Sequence, residues 1–308
     1  MGGWGIVRFV DGRGRETAGR IAADAVTEAE RIERKFSRFL PGSLVSQINR
    51  DAGRTPVAVD EETVTLVGEA LRLAEETDGA FDPTVGILRQ VWDFREGRVP
   101  AQDEIDRLLP LVDWRQVAVR DGTVFLRRAG MELDLGGIGK EYAVDRLAGL
   151  MRQAGVESAL VDLAGDVRVV GGRGDGRPWQ IGVADPRRKG ECRFSVRLLG
   201  GGGVATSGDY ERFFVRDGIR YHHILDARTG WPVRGVAAAT AVAPTAVRAG
   251  LAATAALLLG REAGLARLEE TPGIEGALIT EEEEILATSG MDRLSDLPGS
   301  IYAACPAI

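Results

Sequence analysis

The chain has 308 residues, 44% of them hydrophobic, enough for one large α+β domain or two smaller ones with a buried core. Its 46 acidic against 39 basic residues leave a net charge of −7, which argues against nucleic acid or an anionic membrane surface as the main partner, since both need concentrated positive charge. No apolar run approaches the ~20 residues of a membrane span, and the two distant cysteines give no disulfide framework, although one bridge stays open.

The opening MGGWGIVRFV lacks the basic start, apolar segment and cleavage site of a signal peptide. As given, the chain reads as cytoplasmic, with export after removal of a leader as the alternative. Residues 6–10 read as a strand. From Ala18, apolar residues at 21, 22, 25, 29, 32 and 36 mark an amphipathic helix that ends before Ser37. The pattern breaks at Pro41-Gly42 and resumes with Leu44, Val45 and Ile48. Asp60 is a candidate N-cap, with Glu61 and Glu62 in the first turn, for a helix that stops at Gly79. In the next stretch, GAFDPTVGILRQVWDF, Pro83 pushes Asp82 out of helical geometry and places Thr84 at a helix start. Free N–H groups there offer an anion site, while an ordinary capped helix start explains the same pattern.

Residues 117–119 and 124–126, joined through Asp121-Gly122, read as a hairpin. In LDLGGIGKEYAVDR, Asp134 ends a strand, Gly136, Gly137 and Gly139 make a turn, and Lys140 opens a helix running to Gly155. A glycine turn before a helix N-terminus with a lysine is a plausible phosphate cradle, although neither the P-loop nor the dinucleotide spacing is met. Residues 159–170 continue as strand, with Asp162 and Asp166 either paired site carboxylates or turn residues. Short strands follow at 179–183, 193–198 and 203–206.

Asp217-Gly218 then joins two aromatic and β-branched runs as a tight hairpin, which carries both histidines of the chain at its end. Side chains alternate along a strand, so at most one of His222 and His223 points into a site. A zinc centre is disfavoured, because two histidines and two remote cysteines are not a ligand set. General-base work by one histidine remains open. Residues 236–242 form a small-residue strand, and an alanine-rich helix runs from Thr245 to Leu259. Glu281 to Glu284 read as a solvated turn. The expected architecture is a single α+β domain over 1–308, antiparallel-rich with packed helices.

Six motifs in order, FSRF…S…IN (36–49), GAFDPTVG (79–86), LDLGGIGKEYAVDR (133–146), ATSGDY (205–210), YHHILDARTGWPV (221–233) and APTAVRAGLAATA (243–255), resemble the ApbE family of FAD:protein FMN transferases. The resemblance implies an enzyme that binds FAD, uses Mg²⁺ and transfers FMN to a threonine of an acceptor flavoprotein, releasing AMP. Some relatives look instead like FAD diphosphatases, and a FAD-binding module without catalysis is a further alternative.

Residue by residue, the resemblance implies cofactor contacts at Met1, Phe39, Ala80, Phe81, Asp82, Asp134, Lys140 and Ile224. Phe39 stands at an aromatic position that stacks on the cofactor. His223 matches the base that deprotonates the acceptor threonine. The family's Mg²⁺ ligands fall on Thr254 and the Gly137 carbonyl, but the position of its metal-binding aspartate holds Gly250. The expectation is therefore a weaker metal site, or one using a substitute such as Asp134. Gly250→Asp would then raise Mg²⁺ affinity. A further expectation is that the glycine bend before Lys140, the Asp82 loop and His223 converge around a flavin dinucleotide.

Overall fold

The structure is a computed structural model that describes residues 4–10 and 12–297. Met1 lies outside the described residues. Both compact units mix helix with antiparallel sheet, in keeping with the expected α+β class. One unit takes the segments up to Ile32, Lys140–Gly208 and from Gly235 onward, and the other takes Glu33–Gly139 and Asp209–Arg234.

The first unit is built on a seven-stranded sheet, in the order Gly5–Phe9, Ala159–Leu163, Asp166–Val170, Gly201–Gly208, Val236–Ala243, Glu275–Thr280 and Ile285–Ala287. Every neighbouring pair is antiparallel. The stretch 159–170 splits where Ala164 and Gly165 take φ of 50° and 92°, the left-handed geometry of a two-residue hairpin turn. Val236–Ala243 is buried along its whole length. Its small side chains let the Ala246–Leu259 helix lie close on the sheet: a Cβ built at Gly203 would come 2.6 Å from Ala246 N. Two side chains satisfy the start of that helix. Thr245 accepts from Arg248 N, and both carboxylate oxygens of Asp145 accept, at 2.9 Å each, from Ala246 N and Val247 N. Ile21 and Ala25 of the Arg15–Phe36 helix pack with Val144, Leu147 and Met151 of the Gly139–Gln153 helix over Ala159 and Val161. Cys192 is disulfide-bonded. Glu281 to Glu284 form the turn between the last two strands.

In the second unit Asp60 caps the Glu61–Glu76 helix by accepting from Thr63 N, and Ser43 caps Leu44–Arg50 by accepting from Ser46 N. The Val117–Arg120 and Thr123–Leu126 hairpin turns at Asp121 and Gly122, with Val57–Ala58 beside it. Phe213–Arg216 and Ile219–His222 pair through Asp217 and Gly218, whose φ values are 53° and 75°. Positive φ at both positions is what an Asp-Gly turn supplies. The hairpin is anchored by Phe214, Tyr221 and Trp231, which pack around Trp92. Trp92 Nε1 donates to Gly230 O at 2.9 Å.

The segment after Pro83 departs from expectation. No α-helix starts at Thr84; a five-residue 3₁₀ turn, Gly86–Gln90, follows instead. Val85 pairs with Glu132 in a parallel bridge, and a Cβ at Gly86 would come 2.9 Å from Asp134 Cβ. The chain is therefore drawn flat along the neighbouring segment instead of coiling. The N–H proposed for an anion is already taken, since Thr84 N donates to Asp82 Oδ1 at 2.7 Å.

Candidate active site

The loop at Asp82 is fixed by its own carboxylate. Asp82 is 4% exposed. Its Oδ1 accepts from Thr84 N and Thr84 Oγ1, each at 2.7 Å, and its Oδ2 from Trp114 N at 2.8 Å. Burial pushes this carboxyl above its ordinary range, and the three donors pull it back. Asp82 thus shapes the loop, and the neighbouring backbone does the joining: Asp134 N donates to Pro83 O at 2.7 Å and Ala227 N to Ala80 O at 3.0 Å. Phe81 lies against the glycine bend, its Cε2 only 2.9 Å from where a Cβ on Gly137 would stand. A side chain at 137 would displace the ring. A cavity of about 210 Å³ opens beside Asp82 and Trp114, smaller than the usual ~300–1,000 Å³ of a ligand pocket.

The two histidines divide as the strand alternation requires. His222 is 2% exposed, and its Nε2 donates to Val233 O at 2.8 Å. His223, just past the strand, is half-buried. Its backbone N donates to Arg212 O at 3.1 Å, and its Nδ1 has no hydrogen-bond partner. Burial first, then the Arg212 guanidinium, His222 and Arg89, push its pKa down to about 3. At neutral pH it is an uncharged imidazole flanked by two guanidiniums. Ile224 follows directly, its carbonyl accepting from Val233 N at 3.2 Å.

Arg89 also reaches Asp134, whose Oδ2 lies 3.7 Å from Arg89 Nε and 3.2 Å from Arg38 Nη1. Arg38 further donates to Glu132 Oε2 at 2.9 Å. Asp134 Oδ1 accepts from Gly136 N at 2.9 Å, which sets the entry to the glycine bend. Asp134 is thus fully engaged by cations and backbone, and the structure does not favour it as a substitute metal ligand. Between these arginines Phe39 stands 68% exposed, with the Arg38 and Arg89 guanidiniums 5.6 and 5.3 Å from its ring centre. Asn49 explains the IN motif: its side chain pairs with both backbone groups of Leu133, accepting at 2.7 Å and donating at 3.0 Å. The glycine bend, the Asp82 loop and His223 are accordingly tied together within one unit. Arg38, Arg89 and Arg212 were not singled out from the sequence; their only signal was proximity to the FSRF, GILRQ and DYERF motifs.

The other unit carries the second set. Lys140 Nζ lies 2.9 Å from Asp166 Oδ2 and 3.4 Å from Ala164 O. Glu141, Asp162 and Asp166 are all buried there. Burial, with Asp166 beside it and Lys140 opposing, pushes Glu141 up to about 8; burial likewise raises Asp162 and Asp166. Asp162 proves to be both a turn residue, accepting from Gly165 N at 2.8 Å, and a member of this cluster. Thr254 Oγ1 pairs with Ser207 Oγ at 2.8 Å. Gly250 precedes Thr254 by one helical turn, so both share a face. A Cβ at Gly250 would stand 2.5 Å from Glu141 Cγ and 2.8 Å from Glu141 Oε1. An aspartate at 250 would therefore require the Glu141 side chain to move. Glu141 was missed from the sequence, where it is only the residue after Lys140.

Among the described residues no three His, Cys, Asp or Glu side chains group tightly enough to hold a metal by themselves. Mg²⁺ asks for less: one or two carboxylates with other oxygens completing the shell. A buried carboxyl, that of Glu141, whose Oε2 receives no N–H or hydroxyl hydrogen bond, beside the helix that carries Thr254 fits that chemistry.

The sequence profile of the ApbE family matches residues 4–278. The chain is 38% identical over 286 residues to the FAD:protein FMN transferase of Treponema pallidum, covering 87% of this chain and 79% of that protein. It is 34% identical over 252 residues to the FAD:protein FMN transferase of Klebsiella pneumoniae, covering 80% and 78%. Among solved structures, the ApbE protein from Thermotoga maritima superposes with a TM-score of 0.85 at 36% identity, over 94% of this chain and 96% of that one. The flavin transferase ApbE from Vibrio cholerae gives 0.84 at 28%, over 96% of each. With the family profile running through almost the whole described chain, this protein belongs to the ApbE family.

Proposed function

We propose that this protein is a FAD:protein FMN transferase that moves FMN from FAD to a threonine of an acceptor protein. The observation that carries the reading is His223: a neutral imidazole whose buried Nδ1 has no hydrogen-bond partner, flanked by Arg212 and Arg89, in the unit that also holds the glycine bend and the Asp82 loop. Relatives named FAD:protein FMN transferase support it. The acceptor hydroxyl attacks the phosphorus on the FMN side of the diphosphate. The P–O bond to AMP breaks as the new phosphoester forms, and the threonine proton passes to His223. An imidazole with a pKa near 3 is a weak base on its own. An anionic diphosphate near Arg212 and Arg89 offsets their share of that depression, while the larger share, from burial, stays.

Phe39 offers its exposed ring for stacking on the flavin, while Ala80, Phe81 and Ile224 line the site. Asp134 orients the bend and holds the arginines. Lys140 contributes positive charge for the phosphates; Thr254 would donate an oxygen to Mg²⁺, and the family resemblance gives the Gly137 carbonyl the same role. Bound Mg²⁺ supplies further neutralisation of the diphosphate charge. Residues 1–308 are read as one ApbE-like domain, a reading supported by the family profile over residues 4–278.

Phe39→Ala is expected to weaken FAD binding about tenfold, the scale of one lost aromatic stack, read by flavin fluorescence titration. Unchanged affinity would remove Phe39 from the site. Product chromatography after incubation with FAD, Mg²⁺ and a threonine-bearing acceptor tests the function itself. Flavin that stays with the acceptor, with AMP released, supports transfer. Free FMN and AMP would mean hydrolysis, and intact FAD would mean binding alone.

A further inference from the structure

Glu141 is the least explained polar group in the first unit. It is 7% exposed and its carboxyl pairs with that of Asp166, while its Oε2 and Asp162 Oδ2 receive no hydrogen bond from an N–H or hydroxyl donor. Buried polar atoms are almost always paired, and an unpaired carboxylate oxygen is among the costliest exceptions. Three buried carboxylates, those of Glu141, Asp162 and Asp166, face one ammonium, Lys140, which lies 2.9 Å from Asp166. Glu141 also stands in a telling place. Its Cγ and Oε1 fill the volume beside Gly250 that a side chain at 250 would occupy, at 2.5 and 2.8 Å from a Cβ built there. The Gly250 face of the helix continues to Thr254, whose hydroxyl pairs with Ser207 at 2.8 Å.

We propose that Glu141 is the carboxylate ligand of a divalent cation in this chain, reaching from the Gly139–Gln153 helix into the space opened by Gly250, with Thr254 as a neighbouring oxygen donor. Residue 141 and residue 250 thus act as a pair: a side chain at 250 would displace the Glu141 carboxylate, and here the carboxylate comes from 141. On this account the chain binds Mg²⁺ without an aspartate on the alanine-rich helix. The inference rests on the transferase reading only for what the cation is used for.

The test is titration of the whole protein with Mn²⁺, followed by electron paramagnetic resonance of the free ion, with Mg²⁺ as competitor and without FAD or acceptor. Glu141→Gln keeps the packing and removes the charge. It is expected to lower Mn²⁺ affinity at least about tenfold, the scale of losing a metal-site contact. Gly250→Asp alone is expected to lower the melting temperature through collision with Glu141 and to bring no gain in affinity. The double variant Glu141→Gly with Gly250→Asp moves the carboxylate to the other helix and is expected to recover Mn²⁺ binding to within about threefold. Wild-type protein that binds no Mn²⁺ would overturn the proposal, as would Glu141→Gln binding it unchanged. So would a double variant that melts like wild type and fails to recover binding. If Glu141→Gln does not fold, the double variant decides. Because the cation is read by itself, binding through Glu141 without FMN transfer would sink the functional reading and leave this one standing.

Discussion

His223→Ala is expected to lower FMN transfer by roughly 10²–10⁴-fold, the range of a lost general base, while FAD remains bound. The size of the effect follows from the site: the imidazole is uncharged, its Nδ1 has no competing partner, and its backbone is pinned to Arg212 O. His222→Ala should act differently. It removes the donor to Val233 O and costs stability before it costs chemistry. The pH dependence carries its own signature. A histidine held at about 3 when folded, against 6.5 in its ordinary state, takes up a proton on unfolding between those values. Its contribution to stability is therefore complete above pH 6.5 and is lost as pH falls toward 3. Melting temperatures across that window should decline less steeply in His223→Ala than in wild type. The acid limb of kcat/KM, which reports the free enzyme, should lie below pH 6.5. A limb at or above that value, or equal slopes of stability, would contradict the environment described for His223.

Asp82→Ala is expected to destabilise the protein by about 3 kcal/mol, since it leaves Thr84 N and Trp114 N buried or half-buried without the acceptor they now have. Thr84 Oγ1 also accepts from Asp113 N at 3.0 Å, so the loss spreads to the segment that follows. Because Pro83 O accepts from Asp134 N, loosening the loop should also displace the glycine bend and weaken FAD binding. Asp82→Asn keeps one acceptor oxygen and should cost less. Denaturant melts of the two variants measure this directly; an Asp82→Ala protein within about 0.5 kcal/mol of wild type would mean the carboxylate does not organise the loop.

Features fixed by neighbouring residues were legible in the sequence. The Asp217-Gly218 and Asp121-Gly122 turns, the Asp60 cap and the ends of the helix expected from Thr245 to Leu259 all appear within a residue or two of where they were expected, because each is decided over a few positions. The split of 159–170 into two strands was not read, although Asp162 and Asp166, offered as turn residues, flank Ala164-Gly165. The Gln102–Leu108 and Arg261–Glu270 helices passed unread, being short or weakly amphipathic.

Long-range pairings were not legible at all. Asn49 serving Leu133, Asp145 capping a helix about a hundred residues later, and Arg38 and Arg89 meeting at Asp134 depend on chain segments that only the fold brings together. The same holds for Glu141 and Gly250. The absence of an aspartate at 250 was visible, but the carboxylate beside it was not, since nothing along the chain links the two positions. The expected helix at Thr84 failed for a related reason, because pairing with Glu132 overrode the local Pro-Thr signal.

The most direct measurement is intact-mass analysis of a threonine-bearing acceptor after incubation with this protein, FAD and Mg²⁺, followed by peptide mapping. The account predicts an acceptor heavier by one FMN, attached at the threonine, with His223→Ala giving no such product. An acceptor of unchanged mass in the presence of intact FAD, or one modified equally well by the His223→Ala protein, would contradict it.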